Sequence, residues 1–232
     1  MIPKIIHYVW VGGNPKPKNI QRCMKTWQKH LQGYQIIEWN EDNFDIHENK
    51  YVEQAYQARK WAFVSDYIRA KAVYEMGGIY LDTDVLVLDS LTELLNNRAF
   101  VGFENQANPF TAVFGAEAGH PLLKDMLDYY NNRNFTFDSQ DQLAGVNTVS
   151  VSDILKEKYG ALANNQEQIL KSDIHVYPDG VLCNPSPASK TIHVFTGTWM
   201  EGSKPCKRKL VTALKVRIKT KRQAALYARL IR

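Results

Sequence analysis

The apolar run Ile5 to Val11 stops at Gly12-Gly13, which predicts a buried first strand closed by a tight turn. Pro15 and Pro17 then introduce a helix on which Ile20, Met24, Trp27 and Leu31 share one face, and Gly33 ends it. Tyr34 to Trp39 reads as the next strand. A longer helix is predicted from about Trp61 to Met76, with Ala62, Val73 and Met76 among its apolar positions and Gly77-Gly78 as its stop. It feeds a short apolar strand, Ile79-Tyr80-Leu81, that closes on Asp82-Thr83-Asp84. Val85 to Leu88, Phe100 to Phe103, Thr111 to Phe114, Ile174 to Tyr177 and Thr191 to Phe195 are further strands, and Leu122 to Tyr130 is a further helix. Strands alternating with helices predict an α/β fold with a mostly parallel central sheet. In such sheets ligands sit beyond the carboxyl ends of strands, where Trp10 and Asp82 both fall.

Composition fits one sizeable core: 232 residues, 44% hydrophobic and 11% aromatic. Charge divides the chain. Residues 204–232 hold eleven Lys or Arg and no acid, so a net charge of +5 leaves the first 203 residues at −6. The expected organisation is a body over 1–203 and a basic tail over 204–232. Leu210, Leu214 and Ile218, and then Leu226 and Leu230, recur four apart among basic residues, which suits an amphipathic helix on an anionic membrane surface. The alternation Leu214, Val216, Ile218 leaves a strand open, and a solvated basic end is the plain alternative. No zinc-finger spacing or RNP aromatic pattern supports nucleic acid as a partner. Cys23, Cys183 and Cys206 show neither a disulfide framework nor zinc-ligand spacing, and no signal peptide or transmembrane stretch is visible. A cytoplasmic protein is expected, with the tail available for peripheral attachment to the inner face of the cell membrane.

The chemistry concentrates at Asp82 and Asp84. Two carboxylates ending an apolar strand are either turn formers or helix caps or, if the backbone stays extended, project to the same side and suit Mg²⁺ or Mn²⁺ completed by substrate phosphate. Asp66 and Arg69 are neighbours on the preceding helix, either a helical ion pair or a fork for phosphate oxygens and sugar hydroxyls. Trp10 is either a core aromatic or a stacking face for a base. His193, followed by Thr196, Thr198 and Trp199, is either a structural histidine of a strand or a nitrogen ligand that would favour Mn²⁺.

The opening Ile2-Pro3-Lys4-Ile5-Ile6-His7-Tyr8-Val9-Trp10-Val11-Gly12-Gly13, the block Phe63 to Arg69 through Gly77 to Asp84, and the late His193 with Trp199 resemble the glycosyltransferase family whose sugar-binding region contains the DXD motif. That family includes bacterial capsule and exopolysaccharide transferases and fungal mannosyltransferases, and is distantly similar to clostridial glucosylating toxin domains. The resemblance implies a GT-A fold over 1–203, a nucleotide-sugar donor, a divalent metal, a saccharide acceptor and retention of anomeric configuration. It makes Trp10, beside Val9, the base-stacking residue, and Asp66 and Arg69 the ligands of the donor sugar. Tyr80 would lie against the nucleotide and Trp199 near the leaving diphosphate. Asp82 would contact ribose, sugar and metal, while Asp84 and His193 would bind the metal. Asp66, Arg69 and Asp82 are thus the catalytic candidates. The toxin-like combination of Trp10, Asp66 and Arg69 favours a UDP-sugar. Many relatives carry a Gly-Pro pair where this chain has Ala144-Gly145-Val146-Asn147-Thr148, which leaves the acceptor unspecified.

Two other readings share the aspartates. A haloacid-dehalogenase-like phosphotransferase would use Asp82 as nucleophile and Asp84 as acid, but its motif belongs near the chain start and its downstream Gly-Asp motif is missing. A non-catalytic, metal-dependent sugar-binding module would need no turnover at all.

Overall fold

A computed structural model describes residues 1–136, 147–197 and 206–231, the last segment with side chains for 209–230. The N-terminal strand β1 (Ile5–Val9) leads through α1 (Lys18–His30) to β2 (Gln35–Trp39), and α2 (Lys50–Gln57) and α3 (Trp61–Met76) follow before β3 (Gly78–Leu81). Then come β4 (Val85–Val87), β5 (Ala99–Gly102), β6 (Val113–Ala116), α4 (Pro121–Asp128) and α5 (Asn147–Tyr159). The rest comprises β7 (Gln168–Leu170), β8 (Ile174–Tyr177), α6 (Asp179–Leu182), β9 (Thr191–His193), α7 (Cys206–Lys215) and α8 (Lys221–Ile231).

The seven-stranded sheet has the order β2-β1-β3-β6-β5-β8-β7. Its pairs β1/β2, β1/β3 and β5/β8 are parallel, whereas β3/β6, β5/β6 and β7/β8 are antiparallel. Five of the seven strands therefore run one way, with β6 and β7 reversed, and the expected mostly parallel α/β sheet is what forms. Successive residues of β3 face opposite sides, as the pleat requires: Tyr80 enters the core with α2 to α5, while Ile79 and Leu81 join Tyr8 and Trp27 on the α1 side.

The glycine pair after α3 has a steric reason. Gly77 closes the helix at φ 63°, its N–H bonding Val73 O at 2.9 Å. Gly78 sits at φ 117°, and a Cβ there would lie 2.8 Å from Ile5 O and 2.9 Å from His7 Nε2. Only glycine lets β3 approach β1 this closely. The helix itself is buried on most of its circumference, so Asp66 and Arg69 are interior residues. Met76 points outward and is exposed, contrary to the apolar face expected of it.

Beyond Leu81 the backbone leaves the sheet. Val85 N bonds Asp82 O at 3.0 Å, so Asp82-Thr83-Asp84 is a turn and not the extended segment that would carry both carboxylates to one side. The chain then enters a separate two-stranded sheet, β4 against β9, with Val85 opposite His193. Both α2 and α5 were invisible to the hydrophobic pattern: α2 is short and depends on Asn49 capping the amides of Tyr51 and Val52, and α5 mixes buried Val151 and Leu155 with exposed Val149. The short edge strand β7, with Ile169 exposed, also carries no pattern signal.

The basic C-terminal segment is helical, in two pieces. Val216, Ile218 and Ala224 pack with Cys23, Leu86, Leu88, Ile192 and Val194 in a cluster beside β4 and β9. Ile218 therefore does not share an outward face with Leu210 and Leu214. Those two, with Leu226 and Leu230, are exposed. Among the described residues no helix is long and apolar enough to cross a membrane.

Candidate active site

A large open cavity lies at the carboxyl ends of β1, β3 and β5. Part of its wall is aromatic. Trp10 follows β1, and its indole N–H donates to Asn14 O at 2.7 Å, which pins the ring across the Gly12-Gly13 turn. Trp61 lies directly on the Gly12 backbone, where a Cβ would come within 2.6 Å of its ring. Buried Val9 adds to the same wall.

The centre of the cavity is ionic. Arg69 pairs through Nη2 with Asp66, and its Nη1 lies 3.4 Å from Asp82 Oδ1. The helical ion pair and the cavity-facing fork are thus the same object. Arg69 Nε is buried with no hydrogen-bond partner among the described residues. Tyr80 is almost wholly buried, its ring stacked on Phe114, and only its hydroxyl reaches the site, donating to Asp82 Oδ1 at 2.9 Å beside Ser65. Burial raises its pKa and keeps it a donor.

Asp84 and His193 meet because β4 and β9 are in register. His193 Nε2 donates to Asp84 Oδ1 at 3.2 Å, while Asp84 Oδ2 accepts from the Thr196 N–H at 2.7 Å and its hydroxyl at 3.0 Å. Burial alone would raise the Asp84 pKa, but His193 and Thr196 outweigh it and bring it down to about 2. Burial raises Asp82 in spite of Arg69 and His193. For His193 burial acts downward and is overcome by the Asp84 carboxylate, which carries its pKa well above the ordinary value. One ligand atom from each of Asp82, Asp84 and His193 lies within 4.8 Å of the others. Hard carboxylate oxygens with one imidazole nitrogen fit Mn²⁺ or Mg²⁺, with Mn²⁺ the better match to the nitrogen.

Of the residues singled out in the sequence, Val9, Trp10, Asp66, Arg69, Tyr80, Asp82, Asp84 and His193 line this one cavity. Trp199 lies outside the described residues. The pattern gave no hint of Glu104, Thr148 or Trp61, which line it as well. Glu104 follows β5, its pKa raised by burial, and its one hydrogen-bonded side-chain partner among the described residues is the Thr148 hydroxyl at 3.5 Å. Its place beyond the carboxyl end of β5 was the available signal, but no motif marks it.

Residues 17–101 match the family model described as the glycosyltransferase sugar-binding region containing the DXD motif. An uncharacterized glycosyltransferase of Acanthamoeba polyphaga mimivirus is 29% identical over 133 residues, 53% of either chain. Inositol phosphoceramide mannosyltransferase 3 of Schizosaccharomyces pombe is 28% identical over 130 residues, 53% of this chain and 35% of its own length. The chain thus spans about half of the first relative and about a third of the second. Among solved structures, the apo form of glycosyltransferase GlyE of Streptococcus pneumoniae superimposes with a TM-score of 0.50 at 12% identity, covering 100% of this chain and 64% of that one, a likeness of fold.

Proposed function

We propose that this chain, whose residues 17–101 match a glycosyltransferase sugar-binding region, is a metal-dependent retaining glycosyltransferase that moves a hexosyl group from a UDP-sugar to a saccharide acceptor. The observation that carries the reading is the convergence of Asp82, Asp84 and His193 in one cavity with Trp10 and the Asp66–Arg69 pair. Asp82, Asp84 and His193 would hold Mn²⁺ or Mg²⁺, and the bound ion supplies neutralisation of the charge that develops on the leaving diphosphate. Trp10 offers a face for the uracil ring, with Val9 beside it. The Asp66 carboxylate accepts hydrogen bonds from donor-sugar hydroxyls, and Arg69 orients that carboxylate while its guanidinium adds positive charge beside the sugar-phosphate. Holding the sugar in one orientation lowers the barrier by proximity, without a nucleophilic carboxylate. Tyr80 keeps Asp82 in place through its hydroxyl, and Trp199 is assigned to the diphosphate by the family resemblance.

The acceptor, in this reading, is a lipid-linked saccharide of the kind elongated in capsule or exopolysaccharide assembly. The support is the resemblance to transferases of that class and the exposed Leu210, Leu214, Leu226 and Leu230 among basic residues of α7 and α8, which suit peripheral attachment to the anionic inner face of the cell membrane from the cytoplasm. A screen of UDP- and GDP-sugars for Mn²⁺-dependent hydrolysis tests the whole. Release of sugar from a UDP-sugar is expected. Release of inorganic phosphate instead would mean a phosphotransferase, and binding without turnover would mean a sugar-binding module.

A further inference from the structure

Among the basic side chains of α7, α8 and the segment between them, Lys209, Arg217, Lys219, Arg222 and Arg229 are exposed and Lys221 pairs with Asp89, whereas Lys215 is buried, 7% exposed. No carboxylate pairs with Lys215 among the described residues. Its ammonium donates to the His193 carbonyl at 3.2 Å and lies 4.7 Å from the centroid of the Phe195 ring. Both contacts belong to one short turn. Phe195 holds φ at 59°, a left-handed conformation that a bulky residue adopts only where its surroundings impose it. Its ring in turn lies on the His193 imidazole, centroids 3.8 Å apart. The residue after it, Thr196, gives Asp84 two hydrogen bonds.

We propose that Lys215 is a positioning residue of the metal site, clamping the 193–197 turn so that the His193 imidazole stays directed at Asp84. The inference rests on the metal-site reading above. A buried ammonium is costly to desolvate, and here its charge is taken up by a carbonyl dipole and an aromatic face, both supplied by the turn that carries the ligand. The clamp acts on the backbone of His193 and on the ring that covers its imidazole, so it fixes position without occupying a ligand nitrogen. The basic C-terminal segment thereby contributes to the site, whatever its outer face binds.

Titration calorimetry with Mn²⁺ alone, on the full chain, tests this. Lys215→Met keeps the aliphatic stem and removes the charge. The Mn²⁺ dissociation constant should rise about 10- to 100-fold, the range for residues that orient metal ligands. The melting temperature should hold or rise, because a buried charge has gone. Lys215→Arg should recover part of the affinity. A residue that merely packs would lower the melting temperature and leave Mn²⁺ affinity alone. Equal Mn²⁺ affinity in wild type and Lys215→Met overturns the inference, and a wild type that binds no Mn²⁺ removes the metal site itself. Should Lys215→Met fail to fold, Phe195→Leu takes away the ring under the cation and must weaken Mn²⁺ binding in the same way; unchanged affinity there also overturns it.

Discussion

Asp84 faces two residues of the 193–197 turn at once: one carboxylate oxygen accepts from His193 Nε2 at 3.2 Å, the other from the Thr196 backbone at 2.7 Å. The second DXD aspartate is therefore buried and ties two chain segments together, in addition to whatever it does for an ion. Asp84→Asn keeps the shape but loses the charge, which removes the carboxylate that overcomes burial at His193 and weakens the bonds to His193 and Thr196. Mn²⁺-dependent donor hydrolysis should fall at least about 100-fold, in the range for loss of one electrostatic stabiliser. The melting temperature should drop by several degrees, since weakening buried hydrogen bonds of this kind costs about 1–3 kcal/mol and each kcal/mol moves a domain of this size by roughly 2–4 °C. Wild-type turnover at limiting Mn²⁺ would remove Asp84 from the metal site.

Trp10 is fixed by its bond to Asn14, so its ring is preorganised for stacking, with the Lys16 ammonium 5.4 Å from its centroid. Trp10→Ala should raise the donor KM by roughly 5- to 150-fold, the equivalent of about 1–3 kcal/mol of base–aromatic stacking, with kcat little changed. Trp10→Phe should recover most of it. Calorimetry that finds tight GDP binding and none for UDP would reverse the assignment of the base.

Two buried histidines predict a loss of stability in mild acid. His7 donates from Nε2 to Gly77 O and accepts from Trp39 Nε1 at Nδ1; His120 accepts the Leu122 N–H and donates to Ser172 O. Each is satisfied only as neutral imidazole, and burial holds each pKa below its ordinary value of 6.5. The unfolded chain binds the extra protons first. The contribution is thus fully present above pH 6.5 and is lost as pH falls from there toward the depressed folded value, at up to about 1.4 kcal/mol per pH unit for each residue. Chemical denaturation between pH 7.5 and 5 should show this slope. His120→Asn, which keeps a capping acceptor, should flatten it; an identical slope in the variant would show that His120 is not responsible.

Truncation after Ser203 would be a poor test of membrane attachment, because Val216, Ile218 and Ala224 belong to a buried cluster and their removal would unfold its surroundings. Neutralising the exposed Lys209, Lys219, Arg222 and Arg229 to Gln is the cleaner change. Sedimentation with anionic vesicles at low salt should be abolished, at about 1 kcal/mol for each charge near the surface, while donor hydrolysis stays at the wild-type level. If the unmodified chain ignores such vesicles, the membrane role of α7 and α8 is wrong.

Much of the scaffold was legible in the chain itself. The long helix α3 appears at its predicted limits because Gly77-Gly78 is a local stop, and β1 and β3 are short apolar runs bounded by glycine or aspartate. These are signals of backbone conformation and burial period, and they act over a few neighbouring residues. The DXD aspartates, Asp66, Arg69 and Trp10 were readable for the same reason, since each sits at the end of such an element or one turn from its neighbour. His193 could be named from its local cluster, but not placed. Its approach to Asp84 depends on the register of β4 with β9, which the order and packing of the whole fold set. Glu104 and Thr148 join the site only because β5 ends and α5 begins on the same rim. The basic tail marks the limit most sharply: sequence supplies the charges and the leucine spacing. Which lysine is buried under His193 and which leucines stay exposed was decided by tertiary packing, because burial is a property of the surface an element meets and not of the element alone.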